Sequence, residues 1–498
     1  MKLTKSLFVE FVTDPHVAWW HVHDKDGVYA DIMKSTYGEM DGLAVGKAAE
    51  EQVCRLFAWK NMVNVEKIQR KHPDWYQGFH NVTIEAVNQS PDMIYQPAFL
   101  YDNLFAKCDF LVKNEQWTYD ILEVKAKNNV RKKTKSAELL DELEADVSFQ
   151  HFIVKNILKE KYSGKIFLVY MNKEYVRHGE INPAELLMRE EVTSEVKKDE
   201  AIVNIIASMT KSLKLEREEF KALYPYDNDD HLTFFGKEAA KGSIWNIPQI
   251  RNKKKELYEV GKLLIDHFTE DERGVLLSVS GEETRASKYV SLWQQGEQWI
   301  DKPGIQEKFD ALHYPIFFYD YETISWPVPL LEGTSPWQQC VVQYSVHRMD
   351  EDGTISHKEA IVAAGAKDNQ TIVDQLVQDL EWGAGTYVVW FKWFENTRND
   401  EMGVQYPQYA EAFAKINENT FDLMEIFSEQ LYFHRAFNGS SSIKKVLPVL
   451  TDISYDGLAV PHGSLAAELL AGIVQGKYDL ELTNKHMQNL LEYCKQDT

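Results

Sequence analysis

Three short apolar runs in the first third of the chain place the strongest constraint on its fold. The runs Cys108 to Val112, Trp117 to Lys125 and Lys165 to Met171 have the length and apolar content of buried strands. The polar residues 113–116 between the first two predict a hairpin turn. A helix-like segment from Ser136 to Tyr162 precedes the third. The order strand, strand, helix, strand predicts an α/β core.

The chain changes character twice along its 498 residues. Residues 1–210 carry the α/β pattern, whereas residues 211–305 are rich in charge and lack clear strands, which predicts a mainly helical connector. Residues 306–498 carry a second α/β pattern. The predicted strands of this C-terminal region are the apolar run that ends at Glu322, Val341 to His347, Ile361 to Ala364, and Thr386 to Trp390. A division of the chain into about three units agrees with its length.

Composition excludes several classes of protein. Hydrophobic residues make up 44% of the chain, which is too much for intrinsic disorder. With 55 Lys and Arg against 77 Asp and Glu, the net charge is −22, so a polycationic mode of nucleic-acid binding is excluded. The four cysteines form no CxxC pair and suit a reducing compartment, and no apolar run reaches the ~18 residues of a membrane span. We therefore expect a cytoplasmic protein with no membrane partner.

Two charged residues share one face of the second predicted strand. Side chains alternate along a strand, so Glu123 and Lys125 project to the same side. If the hairpin forms, Asp109 on the neighbouring strand lies beside Glu123. The two carboxylates can bind Mg²⁺, and the lysine can orient or activate the water that attacks in phosphodiester hydrolysis. The alternative is an ordinary exposed strand, on which charged residues also alternate.

This region resembles the RecB-like branch of the PD-(D/E)xK nucleases. The stretch from Gly42 to Glu50 is similar to the family's G-x3-H-x3-E helix, with Gly46 where many members have histidine. The segment Asp146 to Gln150 resembles the family's glutamine helix, since a spacing of four puts both polar side chains on one face; the alternative is a polar helix surface. The resemblance implies a restriction-endonuclease-like fold, catalytic roles for Lys125 and Gln150, and one or two Mg²⁺ or Mn²⁺ ions held by Glu50, Asp109 and Glu123.

Many of these nucleases also hold an iron–sulfur cluster. The opening Leu3 to Phe11 resembles their start, and His231 to Gly236 followed by Gly242 to Pro248 resembles the part that carries the remaining cluster cysteines. Residues 109–339 of this chain contain no cysteine. We therefore expect no iron–sulfur cluster.

A basic run follows Lys125 directly. Residues 125–135 contain six basic residues, counting Lys125, and no acid interrupts them. Such a run can grip the phosphates of a nucleic acid, although a solvated loop is the usual alternative. The candidate nucleic-acid-binding residues are Lys127, Arg131, Lys132, Lys133 and Lys135.

A second pair of carboxylates ends the apolar run that opens the C-terminal region. Asp320 and Glu322 lie on one face of the predicted strand, and buried like charges side by side are costly unless cations bind them. Near the other end of the region, Tyr493 and Asp497 share a helix face at a spacing of four. The D-x-E and Y-x3-D pairs resemble the first and last motifs of the DnaQ-like exonucleases, which have an RNase H-like fold. In that family the tyrosine orients the attacking water.

A further carboxylate completes such a site. Glu395 follows the predicted strand Thr386 to Trp390 and is the first choice, and Asp422 is the second choice. The resemblance implies that Asp320, Glu322, Glu395 and Asp497 hold two Mg²⁺ or Mn²⁺ ions, with Tyr493 as a catalytic residue.

The whole chain resembles an uncharacterised bacterial family in which a RecB-like nuclease is fused to a DnaQ-like domain. The resemblance predicts a metal-dependent nuclease that acts on DNA, either single strands or ends, in repair or in defence against foreign DNA. The alternative is a non-catalytic binding or scaffold subunit in which one or both sites have decayed. The acidic surface suggests that a partner protein delivers the substrate.

Overall fold

The computed structural model describes residues 1–24, 42–69, 72–134, 136–224, 241–251, 253–278, 281–455 and 457–498. Of these, residues up to 224 and the later segment Trp326–Gln338 form a first compact unit. The residues from 241 onward, apart from that segment, form a second unit. Both units combine helices with mixed sheets, so the α/β class expected for each end of the chain is confirmed at that level.

Among its described residues, the first unit contains nine strands in two sheets. The larger sheet has the order β2-β3-β6-β7-β8-β9, and the smaller has the order β1-β5-β4. The central strands β6 and β7 are antiparallel, whereas β7 and β8 are parallel. The strands are β1 (Leu3–Thr4), β2 (Met62–Asn64), β3 (Met93–Tyr95), β4 (Ala98–Tyr101), β5 (Leu104–Lys107), β6 (Phe110–Lys113), β7 (Tyr119–Lys125), β8 (Tyr162–Met171) and β9 (Leu187–Glu191).

Helices cover both faces of the larger sheet. On one face Phe8 and Phe149 stack with ring centroids 4.6 Å apart, within a core that includes Ile121. On the other face Val53 packs with Val124. The helices of this unit are α1 (Lys5–Thr13), α2 (Pro15–His23), α3 (Gly42–Leu56), α4 (Trp75–Gln89), α5 (Asp141–Leu158), α6 (Pro183–Leu186), α7 (Asp199–Ser212) and α8 (Arg217–Leu223).

Local sequence explains how the helices nearest the candidate site begin and end. Thr4 caps α1 by accepting a hydrogen bond from the Leu7 amide, and Asp14 caps α2 through the His16 amide, with Pro15 at the first helical position. Helix α5 has no side-chain cap, but it carries three acids in its first turn. Their negative charges stabilise the helix by interacting with the positive end of its dipole. These starts fix where α1 and α5 cross the sheet.

The segment Trp326–Gln338 completes the first unit although it comes much later in the chain. Val328 is buried in the core beside β7, and the Trp337 indole donates a hydrogen bond of 2.7 Å to the Ala126 carbonyl. Arg177 donates to the Leu330 carbonyl at 2.7 Å. The first unit is therefore not continuous in sequence.

The second unit is built on a five-stranded sheet of order β13-β12-β11-β14-β15. Strands β11 to β13 pair antiparallel, whereas β14 and β15 run parallel to β11. A separate pair, β10 and β16, is antiparallel. The strands are β10 (Gln298–Ile300), β11 (Ile316–Ile324), β12 (Cys340–Met349), β13 (Ile355–Ile361), β14 (Thr386–Val389), β15 (Thr420–Asp422) and β16 (Tyr432–His434).

The helices of the second unit include those of the predicted connector. Trp293, Tyr289 and Ile265 from that region share a buried cluster with Phe433, so the connector packs as part of this unit. Its helices are α9 (Lys253–Glu259), α10 (Glu270–Val275), α11 (Arg285–Gln295), α12 (Lys302–Phe309), α13 (Gln370–Asp379), α14 (Lys392–Gln405), α15 (Ala410–Glu418), α16 (Glu425–Ser428), α17 (Ile443–Leu450), α18 (Gly463–Val474) and α19 (Leu480–Asp497).

Most of the predicted elements are present. The hairpin is confirmed, because β6 and β7 pair with Phe110 opposite Leu122, and the strand-strand-helix-strand order is confirmed by α5 and β8. The strand predicted at Ile361 to Ala364 is wrong, since β13 ends at Ile361. Strand β13 lies at the edge of the sheet, and its middle residues, 356–359, are all polar, so it contains no apolar run that would mark a buried strand. The connector also contains the short strand β10.

No helix in the part of the chain that the structure describes is long and apolar enough to cross a membrane.

Candidate functional site

The first candidate site lies where β6 and β7 run side by side. Asp109 immediately precedes β6, and its Oδ2 accepts a hydrogen bond of 2.7 Å from the Val124 amide. This contact holds Asp109 beside Glu123, as the hairpin predicts. Glu123 is only 1% exposed, and its Oε2 has no hydrogen-bond partner among the described residues.

Two lysines contact the acids of this site. Lys125 donates to Glu123 Oε1 at 2.8 Å and to Asp146 Oδ2 at 2.6 Å. Lys5 from α1 donates to the same Glu123 oxygen at 2.8 Å and lies 3.3 Å from Asp146 Oδ1. Gln150 also contacts Asp146, with Nε2 donating at 2.6 Å, so the predicted shared face of α5 is present. Lys5 was not predicted.

The charges of this cluster are coupled. Desolvation, followed by the Glu123 carboxylate, raises the pKa of Asp109 well above its ordinary value. Burial acts to raise the pKa of Asp146, but Lys125 and Lys5 outweigh it and hold that pKa well below its ordinary range. Burial acts to lower the pKa of each lysine, yet Asp146 and Glu123 hold both pKa values above the ordinary one. The lysines therefore compensate much of the negative charge.

Glu50 reaches the same cluster from α3 through a bridging glutamine. Its Oε2 accepts hydrogen bonds of 2.6 Å from the Tyr95 hydroxyl and 2.7 Å from Gln96 Nε2. Gln96 Nε2 also lies 3.4 Å from Asp109 Oδ1. Open space surrounds the position where a side chain at Gly46 would begin, one helical turn before Glu50. Glu50, Asp109 and Glu123 offer the type of oxygen donor that Mg²⁺ and Mn²⁺ prefer, but among the described residues they do not converge as the carboxylates of Asp320, Glu322 and Asp497 do.

The basic run after β7 is largely paired with acids. Lys127 contacts Glu142 at 2.8 Å, and Lys132 contacts Asp141 at 2.7 Å. The Arg131 guanidinium binds both Glu190 and Glu195. Lys133 is exposed, and Lys135 lies outside the described residues. These residues are not gathered into an unpaired positive surface, so their predicted binding of nucleic acid has no geometric support here.

The second candidate site is an acidic triad at the central strand of the five-stranded sheet. Asp320 and Glu322 lie on β11, and Asp497 ends α19. One carboxylate oxygen from each lies within 4.8 Å of the other two. Glu322 is buried, whereas Asp320 and Asp497 are partly exposed. Two motifs separated by most of the region in sequence are thus brought together as predicted.

Glu395 does not directly follow the strand. The strand β14 ends at Val389, and Glu395 occupies the first turn of α14. Strand β14 pairs only with residues 316–318 of β11, so β11 continues past its end to the part that carries Asp320. Glu395 shares a side-chain hydrogen bond with Asp320, and its Oε2 has no partner among the described residues.

Asp422 has a different environment. Its two carboxylate oxygens accept hydrogen bonds from the backbone amides of Lys392, at 3.1 Å, and Met424, at 3.0 Å. A carboxylate used in this way stabilises the start of α14 and the turn after β15. The geometry therefore favours Glu395 over Asp422 as the further carboxylate.

Tyr493 faces the triad from α19. Its hydroxyl accepts a hydrogen bond of 2.6 Å from Lys444 Nζ and is hydrogen-bonded to Asp497. Tyr455 donates a further hydrogen bond to Asp497. Burial, followed by the charges of Glu322 and Asp497, raises the pKa of Tyr493 well above its ordinary value. The hydroxyl therefore keeps its proton. Lys444 was not predicted.

The acids of the second site repel one another. Desolvation, followed by Asp497, Glu322 and Glu395, raises the pKa of Asp320 well above its ordinary value. Burial and Asp497 raise the pKa of Glu322 to about 8, and mainly burial raises the pKa of Glu395 to about 7. Among the described residues no lysine or arginine forms an ion pair with the triad. The Lys444 charge acts to lower the pKa of Glu322 and of Asp497 but does not outweigh burial, so the negative charge is only partly compensated. A set of hard oxygen donors of this kind fits divalent cations such as Mg²⁺ or Mn²⁺.

A groove of about 430 Å³ borders the triad. Its wall combines apolar side chains, such as Leu447 and Trp390, with Lys495 and Asp497. An aromatic ring and a cation at the edge of an acidic site can hold a base and a phosphate of one strand.

Comparison with known proteins gives a family model and two relatives. Residues 317–442 match the model described as Domain of unknown function (DUF2779). The chain is similar to the "Uncharacterized protein MG366 homolog" of Mycoplasma pneumoniae, at 28% identity over 321 residues that cover 54% of this chain and 48% of that protein. It is also similar to the "Uncharacterized protein MG366" of Mycoplasma genitalium, at 24% identity over 232 residues that cover 43% of this chain and 35% of that protein.

This chain therefore spans less than half the length of either relative. No solved structure matches the chain. The residues matched by the family model include β11 with Asp320 and Glu322, and they also include Glu395 and Asp422.

Proposed function

We propose that the protein is a metal-dependent nuclease that hydrolyses DNA, with a DnaQ-like 3′ to 5′ exonuclease site in the second unit and a PD-(D/E)xK site in the first. One observation carries the proposal: the carboxylates of Asp320, Glu322 and Asp497 converge within 4.8 Å of one another. No compensating lysine or arginine ion pair occurs among the described residues there. Such a cluster is costly unless cations bind it.

The residues of the second site divide into two roles. Asp320, Glu322, Glu395 and Asp497 would hold Mg²⁺ or Mn²⁺. When bound, such ions lower the pKa of a coordinated water and stabilise charge on the leaving oxygen. The Tyr493 hydroxyl keeps its proton and would orient the attacking water, while Lys444 fixes the position of that hydroxyl. Trp390 and Lys495 in the adjoining groove support a single-stranded 3′ end as substrate.

The first site has the donors for the same class of chemistry. Glu50, Asp109 and Glu123 would hold the cation there. Lys125 is charged, because Asp146 and Glu123 hold its pKa above the ordinary value, so it can stabilise negative charge that develops on phosphate. Gln150 keeps Asp146 oriented toward Lys125.

A second candidate function for the first unit is non-catalytic binding, in a subunit whose PD-(D/E)xK site has decayed. The observation that favours it is that Lys5 and Lys125 already compensate Glu123 and Asp146, so these acids need no cation to be stable. The glycine at position 46 removes a further ligand that many members of the family have.

The two sites can be tested separately. For the second site, a 5′-labelled single-stranded DNA is incubated with the protein and Mg²⁺ or Mn²⁺, and stepwise shortening from the 3′ end is expected. Asp320→Ala should remove it, whereas Asp310→Ala, the same change at an exposed position just after α12, should not. Full shortening by the Asp320 variant, with blocked 3′ ends still resistant, would refute the exonuclease proposal.

For the first site, nicking of circular DNA is the measurement. Glu123→Ala and Lys125→Ala should abolish nicking and leave the 3′ shortening of linear DNA intact. If wild-type protein does not nick at all, non-catalytic binding is the better description of the first unit. If both variants nick as wild type does, the residues of the first site have been misassigned.

A further inference from the structure

A cavity in the second unit lies between the predicted connector and residues 427–441, and it has no role in the proposed hydrolysis. Its volume is about 210 Å³, below the ~300–1,000 Å³ typical of drug-sized ligand sites. Aromatic side chains dominate its wall. The ring centroids of Tyr289 and Phe433 are 5.5 Å apart, and those of Phe427 and Phe437 are 5.8 Å apart. A small cavity with aromatic walls suits one flat ring system.

Two buried polar atoms belong to residues of this wall and lack a hydrogen-bond partner among the described residues. One is the hydroxyl of Tyr289, which is 3% exposed. The other is Oε1 of Gln430, which is also 3% exposed; its Nε2 is fixed by donating to the Arg285 carbonyl at 2.9 Å. A buried polar atom without a partner costs about 1–3 kcal/mol. A ligand with polar groups on the edge of its ring would recover that cost, and Gln430 Oε1 requires a donor.

Positively charged side chains line this cavity and a second one. Exposed Arg285 and Gln249 line both this cavity and one of about 420 Å³, whose wall adds Arg251 and Lys253 from the Arg251–Lys255 segment. No carboxylate occurs among the described residues that line either cavity. In a chain of net charge −22, a continuous acid-free surface with three cations is complementary to phosphate.

We propose that these two joined cavities form a nucleotide site, in which Tyr289 and Gln430 bind the edge of a nucleobase and Arg285 and Arg251 bind its phosphate. The occupant has one chemistry and two possible sources: a free nucleoside 5′-monophosphate, or one nucleotide unit of a strand. The proposal concerns binding, and it does not depend on hydrolysis at either carboxylate site.

The test measures binding to the whole protein in EDTA, so that no hydrolysis occurs. Calorimetric titrations use AMP, GMP, CMP and UMP, with ribose 5-phosphate as a matched probe that has the phosphate and lacks the base. At least one nucleotide should bind about 10-fold tighter than ribose 5-phosphate. Tyr289→Phe should weaken that binding about 3- to 10-fold, as expected for one hydrogen bond. Arg285→Ala should weaken the binding of nucleotides and of ribose 5-phosphate.

Stability measurements separate a binding role from a structural one. Tyr289→Phe deletes a hydroxyl without a described partner, so the Tm without ligand should stay the same or rise. Tyr409→Phe makes the same change outside the cavity and should leave nucleotide binding unchanged. A weakened binding with an unchanged Tm therefore assigns the hydroxyl to the ligand.

A short oligonucleotide separates the two sources. If mononucleotides bind and respond to Tyr289→Phe and Arg285→Ala, the site takes free nucleotides. If only the oligonucleotide binds and the same variants weaken it, the site takes a unit of a strand. The proposal is overturned if neither probe responds to the two variants, or if ribose 5-phosphate binds as tightly as every nucleotide.

Discussion

The two carboxylate clusters differ in how their negative charge is balanced. In the first unit, Lys5 and Lys125 both contact Glu123 Oε1 at 2.8 Å, so the chain itself compensates much of the charge of the acids. In the second unit, Lys444 contacts the Tyr493 hydroxyl, and burial and Asp497 raise the pKa of Glu322 to about 8 although the Lys444 charge acts to lower it. The first cluster can thus persist without a cation, whereas the second carries a charge imbalance that a cation would remove.

The largest expected effect is on catalysis at the second site, which contains Asp320, Glu322 and Asp497. Asp320→Ala should lower 3′ shortening about 10³-fold or more, and Asp320→Asn, which keeps the size and removes the charge, should do nearly as much damage. Both variants should keep or raise the metal-free Tm, because they relieve repulsion. A fall in Tm would show that Asp320 contributes to stability instead, and the contrast between the two clusters would fail.

The compensated cluster should respond in the opposite way, through stability. Lys5→Ala or Lys125→Ala leaves Glu123 and Asp146 buried with one cation fewer, and breaking a buried pair costs about 3–5 kcal/mol. Denaturant unfolding of the first unit measures this loss. Lys155→Ala, which removes an exposed pair with Asp199, is the matched control and should cost less than about 1 kcal/mol. Equal effects at buried and exposed lysines would refute the comparison.

Glu395 and Asp422 should separate activity from stability within the second site. Glu395→Ala removes a carboxylate that is hydrogen-bonded to Asp320. It should lower the rate of 3′ shortening about 10²-fold with little loss of stability. Asp422→Ala removes two hydrogen bonds to backbone amides and should cost about 1 kcal/mol of stability with a milder loss of activity. Shortening assays and thermal melts of both variants decide the order, and the reverse order would make Asp422 the ligand.

The pH dependence of metal-free stability should expose the charge imbalance. Folding raises the pKa of Glu322 to about 8 and that of Glu395 to about 7, from about 4.3 in the unfolded chain. The folded state therefore binds more protons between these values, so the stability of the second unit should fall as pH rises from about 5 to 8. Mg²⁺ should reverse the fall. Thermal melts in EDTA and in Mg²⁺ measure both effects, and a flat metal-free profile would contradict the assignment.

The smallest expected effect comes from adding a ligand to the first cluster. A side chain at position 46 meets open space, so Gly46→His should be tolerated and should tighten Mn²⁺ binding a few-fold. Titration of the variant with Mn²⁺ tests this, with Gly46→Ala as the control that adds a Cβ and no ligand. No difference between the two would indicate that position 46 is too far from the cation.

Sequence patterns predicted the parts of each site that local geometry determines. Strand alternation placed Glu123 and Lys125 together, and helical spacing brought Gln150 to Asp146. Lys5 and Lys444 were missed because only the tertiary fold brings them to the acids, and no local spacing signals such a contact. The identity of each domain and the function stay predictions.

The binding of nucleic acid predicted for the basic run at residues 125–135 did not take account of its acidic partners, for the same reason. Glu190 and Glu195 follow Arg131 by more than fifty residues, so the pairing that occupies its guanidinium could not be read from the run. Strand β13 was misplaced because an edge strand that is half exposed lacks the apolar run that marks a buried one.

The segment Trp326–Gln338 means that no single cut in the sequence can separate the two units. It contributes Val328 to the core of the first unit and the Trp337 indole to the backbone just after Lys125. A fragment that ends before residue 250 would expose the apolar surface that this segment covers, and we expect it to aggregate. A single proteolytic cut near Arg251 should have a different result. The two pieces should stay together, because the C-terminal piece still supplies a part of the core of the N-terminal piece.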